Sequence, residues 1–147
     1  MTRKKRKIAV VAPGSRLTAD VAASVRTITA KLYSGGGAEI HFHPQCFESH
    51  GHFAGDDAAR TQAFLEVAND ESYDAVWCAR GGYGSCRVAE AVIRGLTDVA
   101  RRKAYVGYSD AGTLLAQPGV GHRRNADQGH LADGEQEQVE TAGVGRA

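Results

Sequence analysis

Long apolar runs are missing from this chain, and neither sign of charge dominates it. The 18 Lys and Arg residues balance 17 Asp and Glu residues, so a formal net charge of +1 gives no general argument for a nucleic-acid or membrane partner. No segment approaches the roughly 20 apolar residues of a transmembrane helix. The first apolar stretch, 8–12, is too short for a signal peptide and ends at Pro13.

Cysteine is also scarce. The chain has three, irregularly spaced, which is typical of cytosolic thiols rather than of a disulfide framework: Cys46, Cys78 and Cys86. We therefore expect a cytoplasmic protein. Four histidines in pairs spaced by two could suggest a metal site, but zinc generally needs three or four well-placed ligands. We interpret them as part of a solvated rim and expect no metal and no cofactor: His41, His43, His50 and His52.

Short apolar segments alternate with helical patterns along the first 116 residues. A chain of 147 residues is long enough for one domain with a core. Four segments predict strands: 8–12, 39–43, 74–79 and 104–107. Strands that alternate with helices indicate an α/β fold, here a parallel four-stranded Rossmann-like sheet with flanking helices.

The helices between these strands are predicted from apolar spacing. The first has an amphipathic stripe and stops at a run of glycines: Val21, Val25, Ile28 and Leu32. The second begins at a cap provided by Asp56 or Asp57, and its inner face is Ala59, Ala63, Phe64 and Val67. The third covers 86–96, with an apolar face of Val88, Val92 and Leu96. The fourth starts at Ala111 and could be capped by Ser109 or Asp110.

Three polar turns follow predicted strands: 13–15, 81–85 and 108–110. In an open parallel sheet, the ligand site lies beyond the carboxyl ends of the strands. We therefore expect these turns to share one rim and to form the functional site.

Ser85 occupies the most distinctive of these turns, between the third strand and the third helix. Three glycines in four residues, Gly81, Gly82 and Gly84, permit a sharp turn and close backbone approach. A serine at a helix N-terminus lies beside unpaired backbone N–H groups. Such a turn can present a nucleophilic hydroxyl next to an oxyanion hole, or it can bind a phosphate. Arg80 and Arg87 flank it and could meet a substrate carboxylate or form surface ion pairs.

The composition changes near Gln117. Residues 117–147 contain six glycines and four glutamines and almost no large aliphatic side chains. Such a segment cannot bury enough surface to offset its ordering entropy. We predict an α/β domain over 8–116 and a disordered tail over 117–147.

Four motifs in this order resemble the N-terminal domain of the LD-carboxypeptidases. The first three are Val11-Ala12-Pro13-Gly14-Ser15, Ala54-Gly55-Asp56-Asp57-x-x-Arg60 and Arg80-Gly81-Gly82-Tyr83-Gly84-Ser85-x-Arg87. The fourth is Val106-Gly107-Tyr108-Ser109-Asp110 followed by Thr113-x-Leu115. The resemblance implies a cytoplasmic serine peptidase that cleaves the amide before a terminal D-amino acid of a murein-derived peptide, and a possible homodimer.

The same resemblance assigns roles within the third motif. Ser85 would be the nucleophile, and the backbone N–H groups of Gly82 and Cys86 would form the oxyanion hole. The family takes its Glu and His partners from a second, C-terminal domain. We expect this chain to lack that domain through truncation or a lost reading frame near Gln117, and to be inactive without it. The alternatives are a non-catalytic α/β module that binds a phosphate or carboxylate, and a remnant without function.

Overall fold

The computed structural model describes residues 4–120, which contain a single parallel sheet. Its strands are β1 (Arg6–Val11), β2 (Ala38–Phe42), β3 (Ala75–Cys78) and β4 (Ala104–Val106). They lie in the order β2-β1-β3-β4, and every neighbouring pair is parallel. The predicted α/β fold with a four-stranded parallel sheet is confirmed.

β1 lies at the centre because its side chains are apolar on both faces. Ile8 pairs with Ile40 of β2 on one side and with Ala75 of β3 on the other. Ala9 and Val10 have no exposed surface. A continuous apolar run of this kind is typical of a parallel strand covered on both faces.

Five helices and one short 3-10 helix connect the strands. They are α1 (Ala19–Leu32), a 3-10 helix (Pro44–Phe47), α2 (Asp57–Asn69), α3 (Ser85–Gly95), α4 (Asp98–Arg102) and α5 (Ala111–Leu115). Asp56 caps α2 as predicted, because its carboxylate accepts a hydrogen bond of 2.7 Å from the N–H of Ala59. The 3-10 helix and α4 were not predicted.

The two faces of the sheet are covered unequally. One face packs against α2, α3 and α5 in the larger core, which contains the stacked rings of Phe64 and Tyr105 at 5.9 Å. The predicted inner residues of α2 and α3 lie there except Ala59, which is partly exposed. The other face holds a smaller cluster around Val10, Leu17 and Cys46.

The apolar stripe of α1 is exposed. Val21, Ile28 and Leu32 expose 42%, 55% and 73% of their surface. Val25, the fourth residue of the predicted stripe, is partly buried, and Ala22 is the buried residue of this helix. α1 lies against β2, which is an edge strand and offers little surface to cover. The spacing correctly predicted which residues share a side of α1, but that side does not face the core.

Packing continues past the predicted domain boundary at 116. α5 ends at Leu115, and Val120 is buried in the larger core. The rest of the predicted tail, residues 121–147, lies outside the described residues. Within 4–120, no helix combines the length and the apolar character needed to cross a membrane.

Candidate active site

The three polar turns predicted to share one rim do meet. The N–H of Ser15 donates to the carbonyl oxygen of Gly81 at 3.4 Å. A Cβ added to Gly81 would lie 2.9 Å from the Cβ of Ser109, and one added to Gly14 would lie 2.9 Å from Oδ2 of Asp110. The turns therefore pack backbone against backbone at the carboxyl ends of β1, β3 and β4, and only glycine allows this approach at Gly81 and Gly14.

Ser85 begins α3, but its hydroxyl has no exposed surface. The Oγ of Ser85 donates a short hydrogen bond to the carbonyl oxygen of Asp110. The N–H of Ser85 donates to Oδ2 of Asp110 at 2.9 Å. The assignment of Ser85 as nucleophile stays a prediction, and in this conformation its oxygen lies out of reach of a substrate.

Asp110 stands at the predicted N-cap position of α5, but its side chain binds to α3. It precedes α5, yet its side chain makes no capping bond to that helix. Its carboxylate instead accepts from the first N–H of α3, where a negative charge is favourable. Of the two predicted caps, Asp110 occupies the N-cap position of α5, but its side chain makes no capping bond there, because the turns meet closely enough for it to reach α3.

Ser109 has the geometry of a nucleophile elbow. It lies between β4 and α5, its side chain is exposed, and its φ is +55°. A non-glycine residue in the left-handed region is strained and persists only where its surroundings hold it. In serine hydrolases with such elbows, a strained strand-to-helix turn presents the hydroxyl above the end of the strand. Arg80, at the end of β3, has a similar φ of +62°.

The elbow depends on small residues on either side of Ser109. A Cβ on Gly107 would lie 2.9 Å from Cδ1 of Leu115 and 3.1 Å from the Cβ atoms of Ala111 and Cys78. This contact brings α5 directly onto the end of the sheet. The segment Gly107-Tyr108-Ser109-Asp110-Ala111 follows the Gly-x-Ser-x-Gly pattern with alanine in the last place. That pattern is the sequence signal that could have identified Ser109.

The predicted oxyanion-hole donors remain available for hydrogen bonding. Among residues 4–120, no acceptor pairs with the backbone N–H of Gly82 or of Cys86. The N–H of Asp110 also lacks an acceptor in this part of the chain, and its nitrogen would lie 3.8 Å from a Cβ on Gly81. Gly82 has a φ of +109° and packs against Ser15, so its backbone is tightly placed at the rim.

Arg60 is a buried residue that holds the rim together. Its side chain has no exposed surface and donates to the carbonyl oxygens of Gly55 at 3.2 Å, Pro13 at 2.6 Å and Gly84 at 2.8 Å. The guanidinium also lies 4.5 Å from the ring centroid of Phe53. One side chain thus joins the turn after β1 to the turn before α3. Burial lowers the pKa of Arg60, and the neighbouring Asp57 opposes that shift.

Asp57 is shared between Arg60 and Arg87. Arg87 donates to both carboxylate oxygens, from Nε at 3.0 Å and from Nη2 at 2.8 Å. Hydrogen bonding from Arg87 is the main reason that the pKa of Asp57 is lowered. Arg87 therefore forms the surface ion pair that was one of its two predicted roles. Arg80 is exposed and reaches the carbonyl oxygen of Arg16 at 3.4 Å.

Gln45 supports the turn after β1 in a similar way. Its amide nitrogen donates to the carbonyl oxygens of Ala12 at 2.7 Å and Ala54 at 2.5 Å, and its amide oxygen accepts from Ala12 N–H at 3.2 Å. Gln45 is buried, so these bonds are shielded from water. Arg60 stands in the second of the four family-like motifs, but the sequence predicted no role for it, and Gln45 was not recognised from sequence as part of the site.

Of the four histidines predicted as a solvated rim, His41 and His43 lie on or just after β2 and are partly buried, whereas His50 and His52 are exposed in the loop before α2. His43 Nε2 lies 2.8 Å from Oε2 of Glu66, and this hydrogen bond is the main reason that the pKa of Glu66 is lowered. His41 Nε2 lies 2.8 Å from Oε1 of Glu39. Within 4–120, His, Cys, Asp and Glu form no group of three that could hold a metal ion.

The three cysteines differ in exposure. Burial raises the pKa of the Cys46 and Cys78 thiols to about 12, whereas Cys86 is exposed. Cys78 lies in the larger core, as expected for a small apolar residue.

The parallel sheet and its glycine-rich rim define an α/β protein with a candidate site at the carboxyl ends of its strands. The chain belongs to the LD-carboxypeptidase family, whose N-terminal domain matches residues 8–118. Members of this family are peptidases. The family that the four motifs resemble is thereby confirmed.

Curated relatives and solved structures agree with this assignment. The chain is 26% identical over 110 residues to the murein tetrapeptide carboxypeptidase of Pseudomonas aeruginosa, covering 75% of this chain and 34% of that protein. The MccF-like protein of Bacillus anthracis superposes with a TM-score of 0.62 at 25% identity, covering 77% of this chain and 34% of that one.

The muramoyltetrapeptide carboxypeptidase of Oxalobacter formigenes superposes with a TM-score of 0.52 at 25% identity, over 70% of this chain and 33% of that one. This chain thus spans about a third of the length of the relatives that it matches.

Proposed function

We propose that this chain provides the nucleophile side of an LD-carboxypeptidase site, with Ser109 as the attacking residue. The observation that supports Ser109 is its exposed hydroxyl on a strained turn between β4 and α5. The proposed substrate is a murein-derived peptide, cleaved at the amide before its terminal D-amino acid. The name of the Pseudomonas relative and the family membership support this substrate class.

In the proposed reaction, Ser109 Oγ attacks the carbonyl carbon of the scissile amide while its proton passes to a general base. The negative charge on the carbonyl oxygen is stabilised by backbone N–H groups of Asp110, the residue after the nucleophile, and of Gly82. The D-amino acid leaves as an amine after it receives the proton. Water then hydrolyses the ester on Ser109 and releases the shortened peptide.

The general base is proposed to come from a separate domain. No His, Lys or carboxylate hydrogen-bonds to the Ser109 hydroxyl among residues 4–120. A serine hydroxyl is a weak nucleophile at neutral pH without a base and a group that orients it. We therefore propose that residues 4–120 alone turn over little or no peptide. The proposed setting is cytoplasmic recycling of murein peptides.

A chimera tests the assignment directly. Residues 8–118 would replace the matching N-terminal domain of the Pseudomonas relative, and D-alanine release from a murein tetrapeptide would be measured. We expect release by the chimera and none by its Ser109→Ala variant. If the chimera folds and releases no D-alanine, the peptidase proposal fails, and the alternative of a non-catalytic module that binds an anion at the Gly82 and Cys86 N–H groups gains support.

We also propose that the chain self-associates through α1. Its exposed stripe of Val21, Ile28 and Leu32 lies between Asp20 in the first turn and Lys31 in the last. Antiparallel pairing of two copies would cover the stripe and bring these opposite charges together. Light scattering after gel filtration should show a dimer whose population falls in Ile28→Glu. A monomer at all concentrations would exclude this interface.

A further inference from the structure

Ser85 and Asp110 hold each other through two hydrogen bonds that run in the same direction. Ser85 donates its hydroxyl to the carbonyl oxygen of Asp110 and its N–H to the Asp110 carboxylate. These residues lie 25 positions apart, at the ends of the neighbouring strands β3 and β4. We refer to this pair of bonds as the 85–110 clamp.

The clamp acts on the residue next to the elbow. Asp110 has its carboxylate fixed at the start of α3 and its carbonyl fixed by Ser85 and by the N–H of Thr113 at 3.1 Å. Its N–H has no acceptor among residues 4–120. A residue anchored at both its side chain and its carbonyl cannot rotate freely, so the position of its N–H is fixed as well.

Ser109 needs such support because its φ of +55° is unfavourable for a non-glycine residue. The peptide bond between Ser109 and Asp110 is rigid, so anchoring Asp110 restricts ψ of Ser109 and the direction of the peptide N–H. Gly81 packs against the other side of Ser109, so closely that a Cβ added to Gly81 would lie 2.9 Å from the Cβ of Ser109. This contact limits the movement of Ser109 on that side.

We propose that Ser85 is a positioning residue, which holds the Ser109–Asp110 peptide in place for oxyanion stabilisation. This inference rests on the proposed function, in which Ser109 is the nucleophile. The burial of the Ser85 hydroxyl suits this positioning role. A hydrogen bond that is shielded from water is stronger and more directional than one exposed to it.

One of the two bonds of the clamp can be removed without disrupting the turn. Ser85→Ala deletes the hydroxyl bond but keeps the backbone N–H that the Asp110 carboxylate accepts. Thr113 N–H still donates to the Asp110 carbonyl, so this oxygen is not left without a partner. Ser24→Ala is the matched control, because Ser24 is exposed on α1.

Two measurements test the clamp: probe labelling in the chimera described above, which supplies the general base, and amide exchange in the full chain. Labelling by a fluorophosphonate probe should slow about tenfold in Ser85→Ala at saturating probe, with the half-saturating concentration unchanged, because misplacement affects the reaction rather than binding. Amide exchange in 107–112 should accelerate about fivefold, as expected for the loss of one ordinary hydrogen bond. Ser24→Ala should change neither quantity.

The outcomes separate this inference from the proposed function. Labelling that is lost in Ser85→Ala but kept in Ser109→Ala would make Ser85 the nucleophile and overturn both. Faster exchange without any labelling of the chimera that carries the unsubstituted residues 8–118 would support the clamp while counting against the peptidase proposal for this chain. The positioning role would be overturned if amide exchange in 107–112 were as slow in Ser85→Ala as in the wild type. It would also be overturned if exchange became faster while the labelling rate stayed unchanged.

Discussion

Replacing Arg60 with methionine should destabilise the domain by about 3–5 kcal/mol, because it leaves buried backbone carbonyls without donors. Arg60 donates to the carbonyl oxygens of Pro13, Gly55 and Gly84. The Gly84 carbonyl keeps a second donor, the N–H of Arg87 at 3.1 Å, so the carbonyls of Pro13 and Gly55 are the two that lose their partner. Each such buried group costs about 1–3 kcal/mol, which sets an upper limit near 6 kcal/mol. Local relaxation and the apolar contacts of methionine recover part of this cost.

The measurement is thermal and urea unfolding of the full chain followed by circular dichroism. For a chain of this size, the melting temperature falls by about 3–5 °C for each kcal/mol, so Arg60→Met should lower it by about 10–20 °C. That loss is a large fraction of the total stability of an ordinary domain.

Arg87→Met is the matched control because Arg87 binds the same carboxylate, Asp57, from an exposed position. Exposed ion pairs contribute little to stability, so this variant should melt close to the wild type. Equal losses in the two variants would show that the Asp57 ion pair, rather than the carbonyl bonds, is what matters. A melting temperature of Arg60→Met near the wild-type value would refute the reasoning.

Three further predictions follow from packing, burial and charge. Gly107→Ala should destabilise the elbow by about 1–3 kcal/mol because its Cβ would overlap α5 and β3, whereas Gly112→Ala, with open space around it, should be neutral or stabilising by up to about 1 kcal/mol in urea unfolding. A thiol reagent should modify one cysteine in the native protein, Cys86, and three in denaturant; more than one native thiol would contradict the burial of Cys46 and Cys78. The lowered pKa of Asp57 means that the folded state binds its proton less tightly than the unfolded state does. The stability advantage of the wild type over Asp57→Asn should therefore be present above the usual pKa of 3.8 and shrink as the pH falls below it; an advantage independent of pH would exclude this linkage.

The sheet could be predicted because its pattern depends on local sequence. β1 is apolar at every position from Ile8 to Ala12, and such a run indicates a strand buried on both faces. The order of strands and helices then restricts the connections to a parallel sheet. The short α4 and the 3-10 helix carry no such periodicity, so their presence did not follow from the pattern.

The apolar stripe on α1 is a feature whose burial could not be predicted from the sequence pattern. Spacing predicts that Val21, Ile28 and Leu32 share a side, because that depends only on helix geometry. Whether anything covers that side depends on which strand lies beneath. Since β2 is at the edge of the sheet, α1 has one narrow contact surface and the stripe remains exposed.

The exposure of Ser85 and Ser109 could not be predicted from the sequence pattern either. The glycines around Ser85 predict a sharp turn correctly, but they carry no information about which hydroxyl faces outward. That depends on Asp110, which reaches across from the next strand and binds Ser85. The motif that contains Arg60 likewise does not indicate what its side chain binds, because its acceptors are backbone carbonyls up to 47 residues away, which any residue type can provide.

The elbow is attached to the shortest strand of the sheet. β4 has three residues and, in the part of the chain described by the structure, pairs with β3 alone. Short elements with few neighbours open at a lower free-energy cost than the centre of a domain. We therefore expect local opening of the site, with β1, β2 and β3 still folded, to be more frequent than global unfolding, even though Tyr105 of β4 is buried. A protease that cleaves the open form would then inactivate the site, and a partner domain that binds this edge would keep it closed. Neither would change the rest of the fold.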